Sequence, residues 1–455
     1  MNPSGPSEFQ QQPSPAAEYF EEAKALFDAE EFPRSMKILM SGFKKDADYQ
    51  PLYALAAETA GKLEEHRLQS LLEHTADNMQ EASAFYELGE FFFEYDKYGL
   101  AEVFYDKTLR LDPDYPSAVH DLILSIARQF RADDALNAFN RITADNPDFW
   151  ESYLLCKLCI FTERRSFMEK MEENWLTVLD TGIMARVKDP ELKQDLMVKI
   201  TELREALERY ASFQEVQTNI RDWQFIQYGS AVLDVHHDGE KYLAGGRNGI
   251  SFGTMETVRS MADRVKQFVQ RLEIPIQQVA ALDDRDSEII GRLLAKVLDV
   301  PFYFYNRFAY IEHTLIVAGD SSYLTYHWYN DLSEIKNGQV VFALNHNWTR
   351  PAKITPDIIG QMAQQYRFPW DGGGMQFWAD NDQEKVKVEV TPADNRSAEE
   401  IASEIFETQF LPVDMQDLLD FYAEKKPYLK GIGERSGSTR FEFNIESPVP
   451  GTLIE

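Results

Sequence analysis

The 455-residue chain carries 46 Lys and Arg against 76 Asp and Glu, a formal charge of −30. So large a negative charge excludes a broad nucleic-acid or anionic-membrane surface, because phosphates would be repelled over most of the molecule. With 44% hydrophobic and 13% aromatic residues the chain can build large cores, and its length suits two to four domains. Residues 1–15, MNPSGPSEFQQQPSP, have neither the basic start nor the apolar stretch of a signal peptide and read as a disordered tail. Two cysteines, Cys156 and Cys159, are too few for a disulfide-stapled fold, so a cytoplasmic location is expected. No apolar run approaches the roughly 20 residues that span a bilayer, so no membrane insertion is expected.

From Ala82, large apolar residues fall at Phe85, Leu88 and Phe92, with Gly89 beside Leu88, followed by Ala101, Tyr105 and Pro113. The pattern starts again at Pro116, with Val119, Leu122, Ile126, Ala135, Phe139 and Pro147. Ala101 and Ala135, Tyr105 and Phe139, and Pro113 and Pro147 are each 34 residues apart. This period predicts pairs of short antiparallel helices. Small residues let the helices approach, large ones fill the seam, and the proline stops the second helix. Weaker copies begin near Ala16 (Tyr19, Ala23, Leu26, Ser35, Leu39), near Gln50 in shortened form (Tyr53, Ala57), and near Trp150 (Tyr153, Ile160). A stack needs three or more units to bury its faces, so the array is expected over residues 16–180.

In period and residue type this array resembles the tetratricopeptide repeat (TPR). The resemblance implies a concave groove, lined by the first helix of each unit, that holds a peptide or a partner helix. Tyr86, Phe93, His120 and Arg128 are then the contact candidates. Two other readings stay open: the groove is filled by the chain's own second half, or these side chains are ordinary packing. Cys156 and Cys159 form CKLC within an apolar helix, and one CxxC cannot complete a four-ligand zinc site. Residues 189–213 predict an amphipathic helix opened by Asp189 and Pro190, within a capping or linking segment at 181–222.

The pattern changes near Trp223, where residues 223–455 predict an α/β domain. WQFIQYGSAVLDVHH and the residues after Asp238-Gly239 read as two strands about a hairpin turn. The glycine-rich GGRNG at Gly245 reads as a mobile loop, and a helix capped by Thr254 runs to Leu272. Then strands (276–282, 301–308, 314–319, 339–346) alternate with helices (286–298, 329–337), which predicts a parallel, doubly wound sheet. Beyond it, Thr355 and Pro356 open a short helix, residues 384–390 form a strand, Ser397 and Glu400 form a capping box, and the tail after Gly431 is loose. The fold class is therefore an α+β multidomain chain: an all-α helical-repeat solenoid followed by an α/β domain with a mostly parallel sheet.

The order of elements over about 225–350 resembles the type I phosphoribosyltransferase fold. QVAALDDRDSEIIGRLLAKVLDVPFYF stands where that family holds pyrophosphate, and TLIVAGDSSYLTYHWYNDLSEIKNGQVVFAL where it wraps the ribose phosphate. The resemblance implies two acidic residues at the end of the second strand, but here stand Ala318 and Gly319, with a single Asp320 beyond them. It implies a small glycine-rich phosphate loop, but here stand Ser321, Ser322, Tyr323, Leu324 and Thr325. Asp283, Asp284 and Asp286 around Arg285 would repel a diphosphate unless Mg2+ sat between them, so no cofactor is expected unless a phosphorylated ligand brings that ion.

The crevice outside the strand ends remains the default ligand site of such a fold, lined by Asp283, Asp284, Arg285, Asp320, Ser321, Ser322 and Thr325. The competing reading makes these solvated loop and helix-capping residues. His236 and His237 point to opposite faces of one strand and cannot easily share a metal. The function expected is a protein-interaction adaptor or scaffold with an inactive phosphoribosyltransferase-like module. The alternative is an enzyme or sensor of a phosphorylated ligand.

Overall fold

The computed structural model describes residues 14–115, 117–142, 149–163, 184, 187–237, 242–308, 311–336, 338–373, 375–380, 385–435, 437 and 439–452. They fall into two compact units, Met1–Met168 and Glu169–Glu455. The repeat prolines Pro116, Pro113's partner Pro147 and part of the tail lie outside the described residues, as does most of the stretch from 164 to 186.

Among its described residues the first unit is a run of helices: α1 (Ala17–Asp28), α2 (Phe32–Phe43), α3 (Pro51–Lys62), α4 (His66–Asp77), α5 (Ala82–Glu94), α6 (Tyr98–Leu111), α7 (Ala118–Ala127), α8 (Ala132–Ile142) and α9 (Phe149–Phe161). Each packs against the next. The turn that ends α1, α3, α5, α7 and α9 carries one left-handed residue each time: Glu30, Glu64, Asp96, Phe130 and Glu163, spaced 34, 32, 34 and 33 apart. At three of them the next N–H reaches back five residues to close the helix, Glu31 to Leu26, Glu65 to Ala60 and Lys97 to Phe92, at 2.8–2.9 Å. Among the described residues this turn thus recurs five times, including in the copies that are weak in side-chain pattern.

The expected seam residues Phe85, Leu88, Phe92, Ala101, Tyr105, Leu122, Ile126, Ala135 and Phe139 are buried. Gly89 is there for close approach: a Cβ on it would meet the Tyr105 ring at 2.7 Å. Cys156 and Cys159 form no disulfide and are buried within α9. Burial, then the neighbouring Cys159, pushes the Cys156 thiol up, so it is packing rather than a nucleophile.

Among its described residues the second unit has first α10 (Pro190–Ala211), capped by Asp189, and α11 (Ile220–Tyr228), capped by Asn219 and closed by the left-handed Gly229. Arg209 of α10 donates to the C-terminal carbonyls of Ile226 (2.8 Å) and Gln227 (2.9 Å), a cation at the negative end of a helix. The strands are β1 (Ala231–Val232), β2 (Val235–His237), β3 (Tyr242–Ala244), β4 (Arg247–Phe252), β5 (Gln278–Ala281), β6 (Phe302–Phe304), β7 (Thr314–Asp320), β8 (Gln339–His346), β9 (Ile358–Arg367), β10 (Met375–Asp380) and β11 (Lys385–Val390). The helices are α12 (Met255–Arg271), α13 (Arg285–Leu298), α14 (Tyr326–Leu332), α15 (Ala398–Glu407) and α16 (Gln416–Lys425). The main sheet is parallel throughout, in the order β1-β9-β8-β7-β5-β6, with β4 on the same edge of β9 as β1. β2–β3 and β10–β11 are separate antiparallel hairpins.

Several expectations are corrected. Residues 223–228 belong to α11, not to a strand; they are buried on every side, so the run carries no period to tell helix from strand. GGRNG does not stay a loop, because β4 begins at Arg247. The helix placed at 329–337 is α14, which ends at Leu332. Thr355 and Pro356 open no helix; they lead into β9, a central strand. The tail after Gly431 is not loose: Arg440, Phe441, Phe443 and Ile445 are buried.

That tail carries the deepest ion pair among the described residues. Arg440 and Asp357, both almost wholly shielded from solvent, meet through a two-nitrogen contact (2.7–3.0 Å). Arg440 also donates to the Leu332 (2.9 Å) and Gln339 (2.8 Å) carbonyls, while Asp357 accepts from the Val341 N–H (2.8 Å). Arg440→Ala leaves a lone buried carboxylate, and chemical denaturation should show a loss of about 3–5 kcal/mol. Arg440→Met with Asp357→Asn leaves no lone charge and should lose less. His346 is wholly buried at the end of β8 against the Phe443 ring (4.3 Å), with no partner at either ring nitrogen among the described residues. Burial, then Arg247, lowers its pKa from 6.5 to about 3. Between those values the unfolded chain binds a proton the folded chain does not, so stability falls as pH drops below about 6.5, by up to roughly 1.4 kcal/mol per unit. Denaturation at pH 7 and pH 4.5 should show a smaller loss in His346→Leu than in the parent.

Candidate functional site

Two places collect the polar residues singled out in the sequence. The first is a shared face of α5 and α7. Tyr86 of α5 donates from its hydroxyl to Asp121 of α7 (2.7 Å), and its ring lies against Tyr105 (5.5 Å) and Tyr115 (4.9 Å). Phe93, two turns along α5, lies beneath the Arg128 guanidinium (4.5 Å), which also covers Tyr98 (5.3 Å). His120 Nδ1 stands 3.1 Å from Asp121. The four candidates are therefore brought onto two neighbouring helices, each half-buried.

Between them runs a row of carboxylates; Glu90 and Glu94 fall at groove positions of the first helix but are not among the contact candidates. Glu87, Glu90 and Glu94 stand exposed on α5 beside Asp121. Glu94 pairs with Arg67 of α4. Loss of hydration, then the charges of Asp121, Glu94 and Glu87, hold the Glu90 carboxyl above its ordinary range, with the Tyr86 hydrogen bond opposing. Burial, and then the bond to Asp121, pushes the Tyr86 phenol up. The signal for this row was the i, i+3, i+7 spacing of glutamates on one helix, which places them on one stripe.

The second place is the crevice at the switch between β5 and β7, where the chain first adds β6 on one side and then β7 on the other. Asp284 caps α13, accepting from the Ser287 N–H (2.8 Å) and hydroxyl (2.5 Å). Ser287 in turn accepts from the Gly319 N–H of β7 (2.9 Å). Burial, as the largest influence, holds the Asp284 carboxyl up. Asp320 caps the turn Ser321–Tyr323 and accepts from Asn345 of β8 (2.5 Å); Ser321 is buried and accepts from the Asn347 N–H (3.0 Å). Asp283, Ser322 and Thr325 are exposed, and Thr325 makes no side-chain cap to α14. Arg285 turns to the carbonyls of Asp394 and Arg396 instead of into the crevice.

Asp286, set down in the sequence as a repelling carboxylate, holds the centre. Its two oxygens accept from the Tyr323 hydroxyl and the Trp370 indole N–H, each at 2.7 Å. Trp370 is fully buried and stacks on Phe368 (4.9 Å). No sequence signal tied Trp370, 84 residues away, to Asp286. Among the described residues no group of three or more His, Cys, Asp or Glu side chains is placed to hold a metal ion, and no helix is long and apolar enough to cross a membrane.

No protein-family model matches the chain, and no curated protein matches it. Among solved structures the chain is similar to YrrB, described as a TPR protein with an unusual peptide-binding site, at 20% identity over 41% of this chain and 93% of that one, with a TM-score of 0.23. It is also similar to pilF of Pseudomonas aeruginosa, at 14% identity over 43% of this chain and 87% of that one, again at 0.23. Likenesses this slight carry no argument about the site. The TPR-like character of the first unit is visible in its own hairpins and turns.

A titration tests the electrostatics of the α5 face. Asp121→Asn removes the largest charge acting on Glu90, so carboxyl-carbon NMR should find the Glu90 pKa lower in the variant than in the parent.

Proposed function

We propose that this chain is a cytoplasmic interaction adaptor or scaffold, in which the α5–α7 face of the helical array holds a partner segment rich in Lys or Arg. The α/β unit then serves as a catalytically inactive regulatory module. The observation that carries the reading is the exposed row Glu87, Glu90 and Glu94 beside Asp121, flanked by the half-buried rings of Tyr86 and Phe93. Glu90 is held above its ordinary range by loss of hydration and then by neighbouring carboxylates, so a cation brought beside it relieves repulsion as well as gaining a partner. The geometry in which Arg128 lies over Phe93 illustrates how a guanidinium sits on these rings.

The alternative, an enzyme or sensor of a phosphorylated ligand at the β5–β7 crevice, has less support. Asp284, Asp286 and Asp320 are engaged by Ser287, Tyr323, Trp370 and Asn345, and the loop offers a phosphate no glycine backbone. The test is a peptide array of Lys/Arg-bearing, neutral and Asp/Glu-bearing sequences, probed with the full chain at low and high salt. Basic peptides should bind selectively, and binding should fall with salt. Glu87→Lys with Glu90→Lys should weaken it about tenfold or more. Equal binding of neutral peptides, or no effect of the double reversal, defeats the reading.

A further inference from the structure

The main sheet ends at β6, and among the described residues β6 pairs with β5 alone. In that ladder the Val279 N–H donates to the Pro301 carbonyl (2.9 Å) and the Tyr305 N–H to the Ala281 carbonyl (2.8 Å). Residues 301, 303 and 305 thus turn their backbone groups toward β5, and Phe302 and Phe304 turn theirs outward. At the other end of the sheet the tail covers the start of β4, where Gly451 bridges Arg247 and the Thr452 N–H donates to the Arg247 carbonyl (3.1 Å). No described segment does the same for β6.

Open edges are usually protected by charge or by a cover. Here residues 300–306, VPFYFYN, carry no charge in a chain of net −30. Tyr303 and Phe304 are 50% and 48% exposed, and Phe308 beyond the strand is 92% exposed. The Phe302 and Phe304 rings meet edge to face (5.4 Å) on one side of the sheet, where Arg292 of α13 lies over Phe302 (4.5 Å). Tyr303 points to the other side. The strand is short and Pro301 precedes it, so the edge offers one brief ladder and not a long one.

The outward groups fit a second copy of the same strand. Antiparallel pairing about a two-fold axis at Tyr303 sets Phe302 of each copy opposite Phe304 of the other. Every outward N–H and C=O of the strand then finds a partner, and the assembly closes as a dimer. The same axis gathers the Phe rings of both copies on one face and the Tyr303 rings on the other, the cross-strand aromatic pairing that stabilises antiparallel ribbons. Asp299 and Arg307 stand equally far to either side of Tyr303 along the chain, so the axis brings the exposed Asp299 of each copy toward Arg307 of the other. Arg307 already meets Asp331 at 3.4 Å, and a further carboxylate adds to that contact. A strongly charged foreign strand finds no counter-charge within residues 300–306.

We propose that the β6 edge is a self-association surface, on which a second copy of this chain pairs its own β6 antiparallel about Tyr303. The surface lies in the α/β unit and does not depend on the reading given to the α5–α7 face.

The test is sedimentation velocity of the full chain from about 1 to 200 µM in about 0.15 M salt. A contact this small gives a weak dimer, so the sedimentation coefficient should climb from the monomer value toward the dimer value across that range. Phe304→Pro removes an N–H that faces away from β5, together with the ring, and should hold the chain monomeric throughout. Phe304→Ala keeps the N–H and should weaken association about fivefold or more. Tyr303→Cys puts thiols on facing residues of the paired strands and should give a disulfide-linked dimer under mild oxidation. Leu411→Cys, exposed beside β4 at the other side of the sheet, should not. The cysteine pair serves if Phe304→Pro fails to fold. The proposal is overturned if the chain is still monomeric at the highest concentration, or if Phe304→Pro dimerises as the parent does. It is overturned equally if Tyr303→Cys cross-links no faster than Leu411→Cys.

Discussion

The ion pair between Arg440 and Asp357 is the constraint on which the second unit hangs. One guanidinium, deep in the protein, holds the end of α14, the start of β8 and the residue that introduces β9. β8 and β9 are central strands, so their alignment fixes the edge formed by β1 and β4 as well as the position of β7. Removing two charges from water is costly, and the pair persists because Asp357 also takes the Val341 N–H and Arg440 uses its remaining donors on carbonyls. The tail that delivers Arg440 continues the same work. Phe443 exchanges backbone hydrogen bonds with Ala352, and Gln227 and Tyr228 bond to the carbonyls of Glu446 and Asn444. α11 and the far end of the chain are thereby locked together.

The two places where acidic residues gather differ in how their charge is handled. Around Asp284, Asp286 and Asp320 each carboxylate meets donors from its own fold, and the crevice is closed by Tyr323 and Trp370. On α5 the glutamates lie side by side with few opposing cations, and Glu90 is left with its carboxyl above the usual range. A stack of hairpins can carry such a row, because its stability comes from the seam between helices and not from the outer stripe.

What could be read from the sequence depended on local rules. The 34-residue period, the Thr254 cap, the Ser397–Glu400 capping box and β8 from Gln339 to His346 were legible because caps and periods act over a few residues. α11 was misread because a helix buried on all sides has no polar face to mark its period. β9 was missed because Thr355-Pro356 imitates a helix start, while its strand character comes from β8 and β1 on either side. The crevice residues were legible as positions but not as partners: Trp370 reaches Asp286 and Asn345 reaches Asp320 only through the tertiary fold. In the array, Tyr86 and Phe93 stood out as aromatics at regular places and the α5 glutamates by their spacing, whereas Asp121 joins them only when α7 is packed alongside.

The distance along the chain between Asp357 and Arg440 has a consequence for how the protein is made. The two are 83 residues apart, and a ribosome adding about 5–20 residues per second takes roughly 4–17 s to travel between them. For that time the strands that will become the middle of the sheet emerge around a carboxylate whose counter-ion has not been synthesised. The helical hairpins, built from neighbours in sequence, close as they appear; the parallel sheet waits for Arg440. An mRNA cut short between the codons for Asp357 and Arg440 therefore yields a finished array joined to a sheet whose buried carboxylate has no counter-ion, a product that cellular proteases can tell from the intact one.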